Sequence, residues 1–160
     1  MQKKRTVWVT ALIVFALLLA CQCQLPGGII SPAQPTAFVG GDCNPNTTRL
    51  PMNSSLSGYI SGGDEFLETI AMYCLWVPEG GSQLVIGIRD FNIDFDIYVS
   101  SSYDELMSPS GFGEYYDRDG GPGEPEQVTI PNPGGRYYIQ VVAYNFNTSG
   151  SFTIWNQYTP

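Results

Sequence analysis

Histidine is absent from this 160-residue chain, and lysine occurs only at Lys3 and Lys4. The first absence removes Ser-His-Asp triads, Cys-His pairs and His-ligated zinc from the possible chemistry. The second leaves no lysine beyond the extreme N-terminus to form a Schiff base. Positive charge is scarce altogether: past Arg5, only Arg49, Arg89, Arg118 and Arg136 stand against fifteen acids, which leaves a net −11. Such a chain repels phosphate backbones, so nucleic acid is excluded as a partner. Strong negative charge favours solubility and cation binding, and says little about fold. No apolar run is long enough to cross a bilayer, since residues 7–20 supply about fourteen residues where a spanning helix needs roughly 20. Nor does any stretch carry the i, i+3, i+4 stripe of an amphipathic helix. What chemistry remains belongs to carboxylates, and no spacing among them singles out an acid/base pair of the glycosidase kind. The chain therefore reads as a non-enzyme, with a carboxylate-based hydrolase as an alternative.

What is present begins with an export pattern. Lys3, Lys4 and Arg5 precede the apolar run, as in a signal peptide over residues 1–20. The segment Leu18-Leu19-Ala20-Cys21 resembles the lipobox of bacterial lipoproteins, which implies cleavage after Ala20 and lipidation of Cys21. Several acyl chains on one residue give stable anchoring where a single chain is marginal. A lipidated Cys21 leaves Cys23, Cys43 and Cys74, an odd number for an oxidising compartment. The expected disulfide is Cys43 with Cys74, because Cys23 lies in a tether. Metal ligation by these thiols lacks a Cys-x-x-Cys spacing.

Residues 21–55 are rich in Pro, Gly, Ser, Thr and Asn and read as a flexible tether holding a domain away from the membrane. Residues 56–160 suffice for one domain with one core. Their apolar residues alternate in short runs broken by Gly, Pro, Asn and Asp, which predicts strands over 56–61, 66–77, 82–90, 94–100, 112–117, 126–130, 136–144 and 151–157. Eight such strands predict an all-β fold, an antiparallel β-sandwich or jelly roll. Period two places Phe95, Ile97 and Val99 on one face of their strand, with Asp94, Asp96 and Tyr98 on the other. It likewise puts Tyr137, Ile139, Val141 and Ala143 inward, leaving Tyr138, Gln140, Val142 and Tyr144 outward. Asp94 and Asp96 repel each other unless loop amides or a cation compensate them; they are expected to be structural acids that fix a loop. The sequons at Asn46, Asn53 and Asn147 are chance matches in a bacterial lipoprotein.

Three motifs in order carry a resemblance. Val77-Pro78-Glu79-Gly80-Gly81 followed by Leu84-Val85-Ile86 comes first, and Asp94-Phe95-Asp96-Ile97-Tyr98-Val99 second. The third is Pro133-Gly134-Gly135-Arg136-Tyr137-Tyr138-Ile139-Gln140-Val141 with Ser149-Gly150-Ser151-Phe152-Thr153 after it. Residues 76–155 thereby resemble the bacterial pre-peptidase C-terminal domain, a β-sandwich family related to clostridial collagenase collagen-binding domains. The resemblance implies a Ca²⁺ site in which Asp42, Asn44, Asn46 and Asp64 stand for the family's oxygen ligands. Asn replaces a family carboxylate there, and Phe66 stands near a common second acid; fewer charged ligands weaken affinity for a hard cation. A further acidic loop, Asp117-Arg118-Asp119-Gly120 with Glu124, is a second metal candidate. The related collagen-binding surface has an outward aromatic where this chain has Val142, so the expected ligand face centres on Tyr98, Tyr138, Val142 and Tyr144.

The expected function is a non-catalytic lipoprotein of the bacterial cell envelope, anchored on the extracytoplasmic side. Its sandwich is expected to bind a protein, peptide or polysaccharide without any required cofactor. The alternative implied by the resemblance is an accessory domain that assists secretion or retention of a separate peptidase.

Overall fold

Alternating side chains become strands here because each strand buries one row against a facing sheet and turns the other outward. The computed structural model describes residues 42–63, 65–109, 111–118, 120–145 and 147–160. The expected signal and lipidation site, with Cys21 and Cys23, lie outside the described residues, as do Asp64 and Asp119. The described residues form nine strands: β1 (Thr48–Arg49), β2 (Ser55–Ile60), β3 (Ile70–Val77), β4 (Gln83–Arg89), β5 (Phe95–Ser100), β6 (Tyr115–Asp117), β7 (Glu126–Pro131), β8 (Gly135–Ala143) and β9 (Gly150–Thr159). A 3-10 turn over Phe66–Thr69 precedes β3, and a short helix α1 (Tyr103–Leu106) follows β5.

These strands make two sheets, ordered β1-β3-β8-β5-β6 and β2-β9-β4-β7. The antiparallel pairs nest: β2 with β9, β3 with β8, β4 with β7, and β5 with β6. That nesting is the jelly-roll form of the β-sandwich, in which one long folded-over hairpin supplies both sheets. The all-β sandwich expected from period two is thus the observed fold, with one parallel addition, β1 beside β3.

Between the sheets, β5 contributes Phe95, Ile97 and Val99, β8 contributes Ile139 and Val141, and β4 contributes Leu84, Ile86 and Ile88, all fully buried. Phe152 sits edge-on to both Phe95, at 5.1 Å between ring centres, and Tyr73, at 6.2 Å. Edge-to-face pairs of this kind add about 0.5–1.5 kcal/mol beyond the area they bury. Gly58 faces this aromatic stack; a Cβ there would collide with the Phe152 ring and the Tyr73 hydroxyl.

The structure differs from the sequence expectation in four places. Residues 42–55, expected within the tether, are built into the sandwich: Leu50 is buried in the core, β1 pairs with β3, and Arg136 Nη1 donates to the Asp42 carbonyl at 2.9 Å. One buried leucine and a covalent tie suffice to fix a segment whose composition resembles a linker. Residues 66–69 form the 3-10 turn where a strand was expected, and the expected strand 112–117 shortens to β6. Helix α1 was not expected, since four residues are too few to show a period. Ser102 caps it, its side chain accepting from the Glu105 amide at 3.3 Å, while Ser100 Oγ stands between the Ser102 amide and the Glu105 carboxylate, accepting from the first at 3.0 Å and donating to the second.

The expected disulfide is present: Cys43 joins Cys74 of β3, with Cα atoms 6.0 Å apart and 31 residues separating them in sequence. Closing a loop of that length stabilises a chain by about 3–4 kcal/mol in the chain-entropy model. Replacing both cysteines by alanine should lower the unfolding free energy by roughly that amount in denaturant titration; a loss under about 1 kcal/mol would show that residues 43–50 are held by packing alone.

Candidate functional site

Two groupings of side chains stand out, and β5 supplies residues to both. The first is acidic. Asp94 precedes β5 and Asp96 projects from it opposite to Phe95 and Ile97. Glu126 opens β7, where Glu126, Val128 and Ile130 alternate inward. One carboxylate oxygen from each of Asp94, Asp96 and Glu126 lies within 4.8 Å of the other two. Two of the three are withdrawn from water, Glu126 at 2% exposed and Asp96 at 7%, and Asp94 is partly buried. Asp94 Oδ1 and Glu126 Oε2 are both buried without a hydrogen-bond partner.

Desolvation is the dominant force on this cluster. Burial pushes the Glu126 carboxyl up to about 8, reinforced by the charges of Asp96, Asp117 and Asp94 and opposed by a backbone hydrogen bond from Ile97. Burial also raises Asp96, against the lowering effects of a hydrogen bond from Tyr98 and the nearby Arg118 charge. The Tyr98 hydroxyl donates to Asp96 Oδ2 at 3.1 Å, and burial with the Asp96 charge pushes that hydroxyl up to about 12. The following loop leaves room for the cluster at Gly120, where a Cβ would stand 2.9 Å from Glu126 Oε1. Chemically, two buried acids with a third, partly buried, beside them can retain a proton or hold a hard cation.

The second grouping is a groove of about 450 Å³ on the outer face of the five-stranded sheet, walled chiefly by Tyr98, Met107, Pro109, Phe112, Gln140 and Val142. Helix α1 forms its shoulder. Ser100 Oγ donates to Glu105 Oε2 at 2.5 Å, and Gln140 Nε2 donates to the Leu106 carbonyl at 3.4 Å, which together fasten α1 over β5 and β8. Beyond the groove, the Arg118 guanidinium lies 5.3 Å from the ring centres of both Phe112 and Tyr116, within cation–π range. Both rings are about half exposed, at 54% and 52%. A smaller hollow on the far side of α1 is lined by Asn46, Leu67, Ile70, Met72, Tyr103 and Met107. None of the three clustered acids lines either groove.

Among the residues expected to bind ligand, the structure brings Tyr98 and Val142 together in the groove wall. Tyr138 belongs elsewhere: it is 4% exposed, edge-on to Tyr103 at 5.5 Å and covered by Arg136, in a small outer core with Cys74 and Leu106. The outer face of this sheet was expected to meet solvent, but α1 and the disulfide-tied segment cover it. Tyr144 is 66% exposed and does not line the groove.

Of the expected calcium ligands, Asn44 Oδ1 accepts from the Asn46 amide at 2.9 Å and so closes a local turn. The Asp42 carbonyl accepts from Arg136. Asp64 is outside the described residues, as is Asp119 of the second acidic loop. In that loop the Asp117 carboxylate accepts from the Gln127 amide at 3.0 Å, and Glu124 is exposed. Asp117 thus holds the start of β7 to β6, and Asp96 takes a hydrogen bond from the Tyr98 hydroxyl. Glu126 escaped sequence reasoning although its parity with Val128 and Ile130 placed it on the core face.

No protein-family model matches the chain, and neither does any curated protein. Among solved structures it is similar to the pre-peptidase C-terminal domain of collagenase from Bacillus anthracis. The two are 16% identical with a TM-score of 0.49, over 73% of this chain and 100% of that one. The Cys43–Cys74 disulfide itself fits a chain that folds in an oxidising, extracytoplasmic compartment.

The buried glutamate sets a pH dependence. Folded Glu126 keeps its proton up to about 8, whereas the unfolded chain releases it near 4.5. Between those values the native state binds more protons, so stability falls as pH rises and levels off above 8. With chelator present, wild type should lose on the order of a few kcal/mol across that window relative to Glu126→Gln. Parallel pH–stability curves for the two proteins would show that Glu126 ionises as freely folded as unfolded.

Proposed function

We propose that this chain is a lipid-anchored protein of the bacterial cell envelope whose sandwich is a non-catalytic binding module. The observation that carries the reading is the groove beside α1. It is concave, largely apolar, walled by fixed side chains and edged by half-exposed aromatics with a stacked arginine. Binding sites combine these features: apolar walls supply affinity, a few polar groups such as Gln140 set orientation, and aromatic and arginine residues dominate recognition energy. The occupant that fits is a protein or peptide segment offering an apolar or aromatic side chain to the groove.

Anchoring follows from the lipobox-like Leu18-Leu19-Ala20-Cys21 and the basic residues before it. Lipid on Cys21 would hold the sandwich at a membrane surface on the extracytoplasmic side, with the residues before Cys43 as the tether. Inventory supports the absence of catalysis: the chain has no histidine, and the acids that do converge line neither groove.

Both parts are testable on the full chain. Cys21→Ser should move the protein from the membrane fraction to the soluble fraction and remove the mass of the acyl chains; unchanged membrane association would contradict the anchor. On arrays of extracytoplasmic peptides and envelope polysaccharides, the wild-type chain should bind apolar peptides. Phe112→Ala with Tyr116→Ala should weaken that binding at least tenfold while leaving the melting temperature nearly unchanged, since both rings are half exposed. Retention on polysaccharide alone, or peptide binding indifferent to the two substitutions, would overturn the peptide reading.

A further inference from the structure

Buried carboxylates are expensive unless paired or ligated, and those that persist without partners in a folded core need a physical compensation. Asp94, Asp96 and Glu126 converge from two different sheets, so their proximity is a product of the whole sandwich and not of one acidic loop. Glu126 is 98% buried with Oε2 unpartnered, and Asp94 Oδ1 is buried and unpartnered beside it. Among the described residues, the one salt bridge is Arg89 with its neighbour Asp90, so no basic side chain closes on the three acids. Arg118 acts on Asp96 at longer range, while its guanidinium stacks on Phe112 and Tyr116. Asp117 adds negative charge.

We propose that Asp94, Asp96 and Glu126 form a calcium-binding centre at the end of the sandwich where β5 meets β7. The donor set is entirely hard oxygen, which suits calcium, magnesium or manganese and disfavours soft metals. The donor atoms lie within 4.8 Å of one another, so an ion at their centre stands no more than about 2.8 Å from each, and a shift of a few tenths of an ångström brings all three to a calcium–oxygen bond of roughly 2.4 Å. The shorter bonds of magnesium, about 2.1 Å, require a larger shift. Calcium also accepts irregular geometry and completes six to eight ligands from water and backbone carbonyls. The loop after β6 folds over this end: Gly120 lies against Glu126, and Gly123 approaches the Phe91 carbonyl. The site is distinct from the segment at Asp42, Asn44 and Asn46, and stands independently of what the groove binds.

The test uses the full chain in detergent, stripped with chelator. Calcium at about tenfold above its Kd should raise the wild-type melting temperature by about 5 °C or more. Terbium as a calcium stand-in should give luminescence sensitised by Tyr98, whose hydroxyl already contacts Asp96, and calcium should displace it. Glu126→Gln, which removes one charge at constant shape, should melt in chelator no lower than wild type and lose both responses. Asp94→Asn, checked by circular dichroism, serves if the glutamine variant does not fold. Absence of both responses in the wild type overturns the proposal. So does their persistence in the folded variants, which would place the cation at another site. A rise with magnesium alone would overturn the assignment to calcium.

Discussion

The rest of the molecule depends on strand β5 being buried along its whole length on both faces. Phe95, Ile97 and Val99 fill the space between the sheets, which is ordinary for a sandwich strand. On the opposite face, Asp96, Tyr98 and Ser100 are also shut away from water: Glu126 stands beside Asp96, Leu106 of α1 packs in one cluster with Tyr98, and Glu105 of α1 holds Ser100. A strand enclosed twice cannot shift register without exposing one core or the other. That constraint holds the acids at the start of β5 and the groove wall at its middle in fixed relation.

Tyr98 joins the two groupings. Its ring forms part of the groove wall and stacks loosely towards Phe112 and Tyr116, while its hydroxyl rests on Asp96. Whatever charge state the acids adopt is therefore felt one side chain away from the groove. The design is one of rigidity: a disulfide ties the entry segment to β3, and a lattice of small polar contacts, such as Asn156 with Asn53 and Pro51, fastens β9 to the corner before β2. Recognition requires only that the walls stay where they are.

Period-two patterning made most of this fold legible. It placed eight strands, assigned the inward rows of β5 and β8, and the cysteine inventory identified the pair that is joined. The unforeseen parts share a cause: each depends on contacts that local sequence does not encode. Strand β1 is two residues long and exists because β3 offers it an edge. Helix α1 is one turn, announced only by Ser102 and Glu105 at capping-box spacing. It determines that Tyr138, read as outward and available, is buried. Glu126 carried a usable signal in its parity with Val128 and Ile130, but its meeting with Asp94 and Asp96 joins residues thirty positions apart across two sheets, which no local pattern records.

Native-state hydrogen exchange of the amides of Phe95–Ser100 tests the central constraint most directly. Because both faces of β5 are enclosed, these amides should be among the slowest in the protein and exchange only through global unfolding, tracking the full unfolding free energy as denaturant is added. Exchange of β5 through local opening, at rates like those of the surrounding loops, would contradict the account: the strand would then be a movable edge and not the fixed wall shared by the acids and the groove.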